Sequence, residues 1–299
     1  MRGIYTALIT PFTPSDEIDY PAFGKILADQ KASRLAGVVV NGTTGESPCT
    51  SMDEKKKMIE FAIAELRGSG VKVIAGTGSN DTRESVQFSK WASDAGVDAV
   101  LLVTPYYNKP QQAGLESHFL AIADAIRCEA ILYNVPGRTG VSLTVESVVK
   151  LAAHPRIRSI KEATGNLAFT SELLDALSAA GKSMDVLSGD DPTFLGLLSI
   201  GAVGNISVAS NLIPRALVEM QKAFESGRPA DATLIQRRFS PLFRDLFVES
   251  NPVPIKVAMA RHGFCDERVR APLAPISQQS RILLEACLVR CGIRKGEPQ

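Results

Sequence analysis

Residues 71–105 read VKVIAGTGSNDTRESVQFSKWASDAGVDAVLLVTP. Two short apolar runs, 71–78 and 99–105, flank a segment, 82–96, with helical spacing of its apolar residues. Gly96 closes that segment as a C-cap glycine does. The runs are rich in Val, Ile and Leu and do not alternate strictly, which is the pattern of parallel strands buried on both faces. The stretch therefore predicts a strand, a helix and a second strand.

The same unit repeats along the chain. Further apolar runs lie at 4–10, 37–42, 130–136, 157–164, 184–190 and 202–208, which makes eight. Segments 53–66 and 113–126 have helical spacing. Ser51 and Glu54 form a capping box ahead of Met58, Ile59 and Ala62. Asp191-Pro192 reads as an N-cap followed by proline at the first helical position, and Gly181 as a second C-cap glycine. Strands alternating with helices over about 220 residues predict an α/β fold, a (β/α)8 TIM barrel, with the catalytic domain at 1–226. A doubly wound open sheet usually has fewer strands, and no G-x-G-x-x-G follows the first run. Near Gly227 the alternation stops. Segments 231–248, 252–263 and 277–292 read as helices, so 227–299 is expected to form a small helical C-terminal domain.

Bulk properties narrow the function classes. The 33 basic and 32 acidic residues leave a net charge of +1. The densest basic run, Lys55–Lys57, reads as a solvated helix face, so no nucleic-acid partner is expected. Five scattered cysteines without a CxxC pair fit free thiols in a reducing compartment. The opening MRGIYTALITPF is interrupted by Pro11 too early for a signal peptide, and no run approaches the roughly 18 apolar residues of a membrane helix. A cytoplasmic protein without membrane association is expected. Of three histidines, His118 and His262 fall in helical segments and His154 precedes Pro155. No ligand spacing such as H-E-x-x-H occurs, so no metal is expected and a zinc-dependent aldolase is disfavoured.

Barrel active sites lie at the C-terminal ends of the strands. Those ends carry Gly42-Thr43-Thr44-Gly45-Glu46, Gly76-Thr77-Gly78, Thr104-Pro105-Tyr106-Tyr107-Asn108, Tyr133 with Pro136-Gly137-Arg138-Thr139-Gly140, Lys161, Ser188-Gly189-Asp190-Asp191, and Asn205-Ile206-Ser207. Lys161 is the anomaly, because lysine is almost never fully buried unless paired or used. Adjacent strand residues face opposite sides, so Glu162 is a poor partner for it. A desolvated amine loses part of its preference for the charged form and becomes a nucleophile toward carbonyls. The competing reading is an amine that snorkels to the rim. Tyr133, on the neighbouring strand, is either a proton shuttle or an aromatic core residue with a satisfied hydroxyl. The 42–45 turn offers N–H groups and hydroxyls to a small carboxylate, or is a plain glycine turn. Arg138 is either a carboxylate clamp or a lone surface arginine. Asp190 and Asp191 read as caps.

The ordered motifs ALITPF, NGTTGES, VIAGTGSN, VTPYYNKP, ILYNVPGRTG, IKEATGNL, LSGDD and NISV closely resemble the dihydrodipicolinate synthase / N-acetylneuraminate lyase family of class I, Schiff-base aldolases. The likeness runs from about Gly3 to Ile293. It implies that Lys161 forms an imine with pyruvate, and that Thr43, Tyr133 and Tyr107 form a proton relay, Tyr107 reaching in from a partner subunit. It further implies that Thr43 and Thr44 hold the pyruvate carboxylate and that the Ile206 carbonyl faces pyruvate. Arg138 then binds the carboxylate of L-aspartate 4-semialdehyde. The sialic-acid lyases resemble the chain in GTTGE and in the Tyr/Lys pair but lack the GRTG arginine, since their aldehyde is a neutral sugar. A buried arginine facing a neutral substrate would be uncompensated, so GRTG favours an anionic aldehyde. The resemblance implies a homotetramer built as a dimer of dimers, no cofactor, and a place on the diaminopimelate route to lysine. A same-fold aldolase for another aldehyde and a non-catalytic carboxylate binder are the rival readings.

One position departs from the family pattern. Lysine-inhibited members carry a histidine near the start of the helix after GTTGES. Here that position is Lys55, and Pro48 replaces the usual alanine. Asn80, Glu84 and Tyr106 match the rest of that effector site. A cationic Lys55 would repel cationic lysine, so weak or absent lysine inhibition is expected.

Overall fold

Each apolar run of the sequence forms a strand, and the segments between them with helical spacing form helices. The computed structural model describes residues 1–294, so 295–299, the end of the expected C-terminal domain, lie outside the described residues. The strands are β1 (Gly3–Ala7), β2 (Gly37–Val40), β3 (Lys72–Gly76), β4 (Ala99–Val103), β5 (Glu129–Asn134), β6 (Ile157–Glu162), β7 (Asp185–Ser188) and β8 (Gly204–Ser207). They close into a barrel in sequence order, and the pairs β1–β2 and β3 through β8 are parallel. The helices are α1 (Tyr20–Ala32), α2 (Met52–Leu66), α3 (Thr82–Ala95), α4 (Gln112–Ala125), α5 (Pro136–Thr139), α6 (Val145–Leu151), α7 (Leu167–Ala179) and α8 (Phe194–Ser199). After the last strand come α9 (Pro214–Glu225), α10 (Pro229–Asp245), α11 (Val253–Arg261) and α12 (Gln278–Arg290). The fold is a (β/α)8 barrel with a helical C-terminal extension. Among the described residues no helix is long and apolar enough to cross a membrane.

The strands end before the predicted C-terminal limits. Their last predicted residues, such as Asn41 with φ 60°, turn away into loops and carry the side chains discussed below. Helix boundaries follow the local chemistry. The Ser51 N–H donates to Glu54 Oε2 at 2.7 Å and the Glu54 N–H to Ser51 Oγ at 3.2 Å, completing the capping box. Gly96, at φ 97°, takes the left-handed position that ends α3, where any other residue would be strained. One expectation fails. Asp191 does not cap α8, whose N-cap is Thr193. Its Oδ1 instead accepts the Asn205 amide at 2.8 Å, while Asp190 Oδ2 takes the Thr193 N–H and hydroxyl.

The described backbone packs as two compact units, Met1–Gly3 with Lys72–Ile206, and Ile4–Val71 with the described residues from Ser207 onward. In the first, β3–β8 bury Ile74, Val100, Leu102, Leu132 and Ile160, with Phe119 and Ile122 of α4 and Leu173 of α7 also inside. In the second, Phe23 and Ile26 of α1, Met58 and Ile59 of α2, Met220 of α9 and Phe243 of α10 are buried. Full burial of such side chains contributes about 1.5–3 kcal/mol each. Helix α11 is buried almost all round, from Val253 to Met259, and that run includes a lysine.

Candidate active site

Strand β6 determines where Lys161 points. Lys161 pairs in register with Tyr133 of β5 and Leu187 of β7. It is only 5% exposed. Its Nζ lies 4.2 Å from the centroid of the Tyr133 ring. Among the described residues no carboxylate pairs with that amine. The next residue faces the opposite way, as period-two alternation requires. Glu162 accepts the Asn134 amide at 2.8 Å and the Thr164 N–H at 2.6 Å. Burial raises the Glu162 carboxyl above the usual range against the pull of those hydrogen bonds. Glu162 is thus occupied elsewhere.

The stem of Lys161 needs space that Gly189, just past β7, provides. A Cβ at that position would meet Lys161 Cε at 2.8 Å and Ala163 Cβ at 2.6 Å, closer than real contacts allow. Tyr133 is buried, yet its hydroxyl has no hydrogen-bond partner among the described residues. A core tyrosine normally satisfies its hydroxyl, so this one is available for proton transfer.

The loop after β5 carries Arg138 within α5, closed by left-handed Gly140 at φ 72°. Arg138 is exposed and without an acidic partner among the described residues. The argument from an uncompensated buried arginine therefore does not apply to Arg138: any preference for an anion comes from pairing gained, not from a penalty on a buried charge. The loop itself is anchored from below. Asn134 Oδ1 accepts the Leu143 N–H at 3.0 Å, and Asn134 is the residue that holds Glu162. Tyr107 is 90% exposed and sits at φ 72°, a strained conformation for a bulky residue. Ile206 is fully buried on β8. Asn80, Glu84 and Tyr106 come together: Asn80 donates to the Tyr106 carbonyl at 3.2 Å, and burial followed by the Glu84 charge raises the Tyr106 phenol.

In the other unit, Thr43–Gly45 form a 3-10 turn between left-handed Asn41 and Glu46 (φ 60° and 55°). The first N–H groups of such a turn have no carbonyl behind them to bond. The Thr43 hydroxyl is half-buried and has no partner among the described residues. Thr44 is buried, and its Oγ1 accepts the Asn251 amide at 2.9 Å. Glu46 is held twice, by Lys256 Nζ at 2.7 Å and by the Arg270 N–H at 2.9 Å. Burial pushes the Lys256 amine below the ordinary lysine range, and the Glu46 charge opposes that shift. The Arg270 guanidinium makes a bidentate pair with Glu54, at 2.9 and 2.7 Å. Lys55, on α2, is half-buried, and its carbonyl accepts the Asn41 amide at 3.0 Å. Asn251, Lys256, Arg270 and the spacing role of Gly189 were not anticipated. The one available signal was a lysine inside the apolar run 252–259.

A buried lysine that has no counter-ion among the described residues, beside an open phenol at the C-terminal end of a barrel strand, is the geometry of an imine-forming aldolase. The family model described as "Dihydrodipicolinate synthetase family" matches residues 1–290. The chain belongs to that family. It is 46% identical over 277 residues to the 4-hydroxy-tetrahydrodipicolinate synthase of Leptospira biflexa, covering 93% of this chain and 92% of that one. Among solved structures it is similar to the dihydrodipicolinate synthase of Aquifex aeolicus, with a TM-score of 0.95 and 39% identity over 99% and 100% of the two chains. It is also similar to the chloride-inhibited dihydrodipicolinate synthase of Acinetobacter baumannii complexed with pyruvate, with a TM-score of 0.94 and 40% identity over 98% and 99%. These dihydrodipicolinate synthase relatives match the chain through both units, so the likeness is not confined to the strand that bears Lys161.

Proposed function

We propose that this chain condenses pyruvate with L-aspartate 4-semialdehyde, the 4-hydroxy-tetrahydrodipicolinate synthase reaction on the diaminopimelate route to lysine. The observation that carries this reading is the buried amine of Lys161 against the Tyr133 ring, the amine without an acidic partner and the phenol without a hydrogen-bond partner among the described residues. The Lys161 nitrogen attacks the ketone carbon of pyruvate, and the carbinolamine loses water to form the imine. The imine draws electrons from the methyl carbon, which loses a proton to give the enamine. The enamine carbon attacks the aldehyde carbon, whose oxygen takes a proton and becomes the 4-hydroxyl. The amine of the semialdehyde then adds to the imine carbon and displaces Lys161 as the ring closes. Because the imine is itself the electron sink, the route draws on no cofactor.

Within this reading Tyr133, Thr43 and Tyr107 relay protons, and Thr43 and Thr44 hold the pyruvate carboxylate. The Ile206 carbonyl faces bound pyruvate. Tyr107 projects almost wholly outside its own chain. That exposure supports a dimer in which it completes the partner's site. By the family resemblance, two such dimers form a homotetramer in the cytoplasm. Residues 1–226 carry the chemistry and 227–299 support it.

The test is pyruvate consumption by the purified protein with L-aspartate 4-semialdehyde, N-acetylmannosamine or glyceraldehyde. Fast consumption with the semialdehyde alone supports the reading, and preference for a neutral aldehyde overturns it. Arg138→Ala should raise KM for the semialdehyde about 10–100-fold, the value of a charge-assisted pair, and leave KM for pyruvate within about twofold. An equal rise for both substrates would remove Arg138 from the semialdehyde subsite. Millimolar L-lysine should leave the rate almost unchanged, since Lys55 repels a cationic effector. Strong inhibition at sub-millimolar lysine would overturn that expectation.

A further inference from the structure

Asn251 lies just before α11 and is buried, as is Thr44. Its amide Nδ2 donates to Thr44 Oγ1 at 2.9 Å, across 207 residues of sequence. An amide NH2 only donates, so the Thr44 oxygen is the acceptor and its own hydrogen must point elsewhere. Among the described residues no protein group accepts that hydrogen. A buried hydroxyl whose oxygen is satisfied and whose proton is unspent is set to donate to an anion. The turn that carries it is held by the same C-terminal segment through Lys256 and Arg270 on Glu46. Thr44 in the turn and Glu46 at its end are thus both bonded by a stretch that lies outside the eight-stranded barrel.

We propose that Asn251 is a positioning residue for pyruvate: it fixes the Thr44 hydroxyl as an acceptor toward the protein and therefore as a donor toward the pyruvate carboxylate. The proposal rests on the reading of Thr44 as a carboxylate-binding residue. Asn251 touches no reacting atom. Its effect falls on the binding of the small acid, not on imine chemistry, and it gives the C-terminal segment a role beyond packing.

The test is a double-mutant cycle of Thr44→Val and Asn251→Ala. KM for pyruvate is measured alongside the pyruvate concentration that half-saturates borohydride trapping on Lys161. Asn251→Ala should raise both values about tenfold, the contribution of one hydrogen bond to a charged group, with kcat at saturating pyruvate within about threefold of the parent. The double variant should be no worse than Thr44→Val alone, because both remove the same donor. Asn251→Asp keeps the shape but only accepts, so it should raise both values at least as much as Asn251→Ala. Asn251→Asp that binds pyruvate like the parent would reverse the direction of the bond and overturn the proposal. A drop in Tm without a change in pyruvate affinity, or effects that multiply in the double variant, would reduce Asn251 to a packing residue. If Thr44→Val leaves pyruvate affinity unchanged, the carboxylate role of Thr44 itself fails; if it weakens binding and Asn251→Ala does not, only the role of Asn251 fails.

Discussion

Lys161→Arg should abolish turnover, with kcat lowered by at least about 10³-fold, while the protein stays folded. Arginine keeps the positive charge and most of the stem, but its guanidinium stays protonated and cannot condense with a ketone. The loss therefore separates a nucleophile from a mere cation. The parent enzyme, treated with pyruvate and borohydride, should gain one N-(1-carboxyethyl) group on Lys161, found by mass spectrometry of the peptide. The imine forms with loss of water, and hydride then reduces its carbon–nitrogen double bond. Lys161→Arg should gain none, and neither protein should be labelled without pyruvate. Residual turnover above a few per cent, or labelling at another lysine, would remove Lys161 from the centre of the reaction. Burial makes the experiment sharp, since the Lys161 amine is shielded from solvent and meets no carboxylate among the described residues.

How much of this was legible in the sequence depended on the range of the interactions involved. Strand existence was legible because a strand buried on both faces has to be apolar along its length. Strand ends were less so, since loop residues such as Thr77 and Val135 have the same composition as the strands they leave. Lys161 was legible as a polar residue in an apolar strand. The same signal stood in PVPIKVAMA, where Lys256 interrupts an apolar helix, and it means something different there. Lys256 has Glu46 as a partner, whereas Lys161 has no acidic partner among the described residues, which is a fact of three dimensions. Asp191 misled for a related reason: the Asp-Pro pattern describes a local cap, and Asn205 drew the carboxylate away. Gly189 and Asn251 left no local trace, because one provides room for a side chain from another strand and the other bonds a turn 207 residues away.

Lys256→Met should destabilise the protein by about 3–5 kcal/mol, the largest stability effect expected of any single substitution named here. Both partners of the Lys256–Glu46 pair are completely buried, with Nζ and Oε1 2.7 Å apart. The amine also lies 4.2 Å from the centroid of Phe12, which shields it from water. Removing the lysine leaves a buried carboxylate whose remaining bond is the Arg270 N–H. In thermal unfolding the loss should lower Tm by about 10 °C. Glu46→Gln should cost less than Lys256→Met, because the neutral amide still accepts from the lysine. A double variant with Met at 256 and Leu at 46 should regain most of the stability, since two apolar side chains replace two desolvated charges. It should not regain pyruvate affinity, because Glu46 also fixes the end of the Thr43–Gly45 turn. A double variant stable and also fully active would show that the turn holds its shape without the pair. Lys256→Met with an unchanged Tm would mean that the charges are solvated, contrary to their burial. The pair thus sets two lysines of one chain in contrast, one paired with a buried carboxylate for structure and one that has, among the described residues, no acidic partner and serves chemistry.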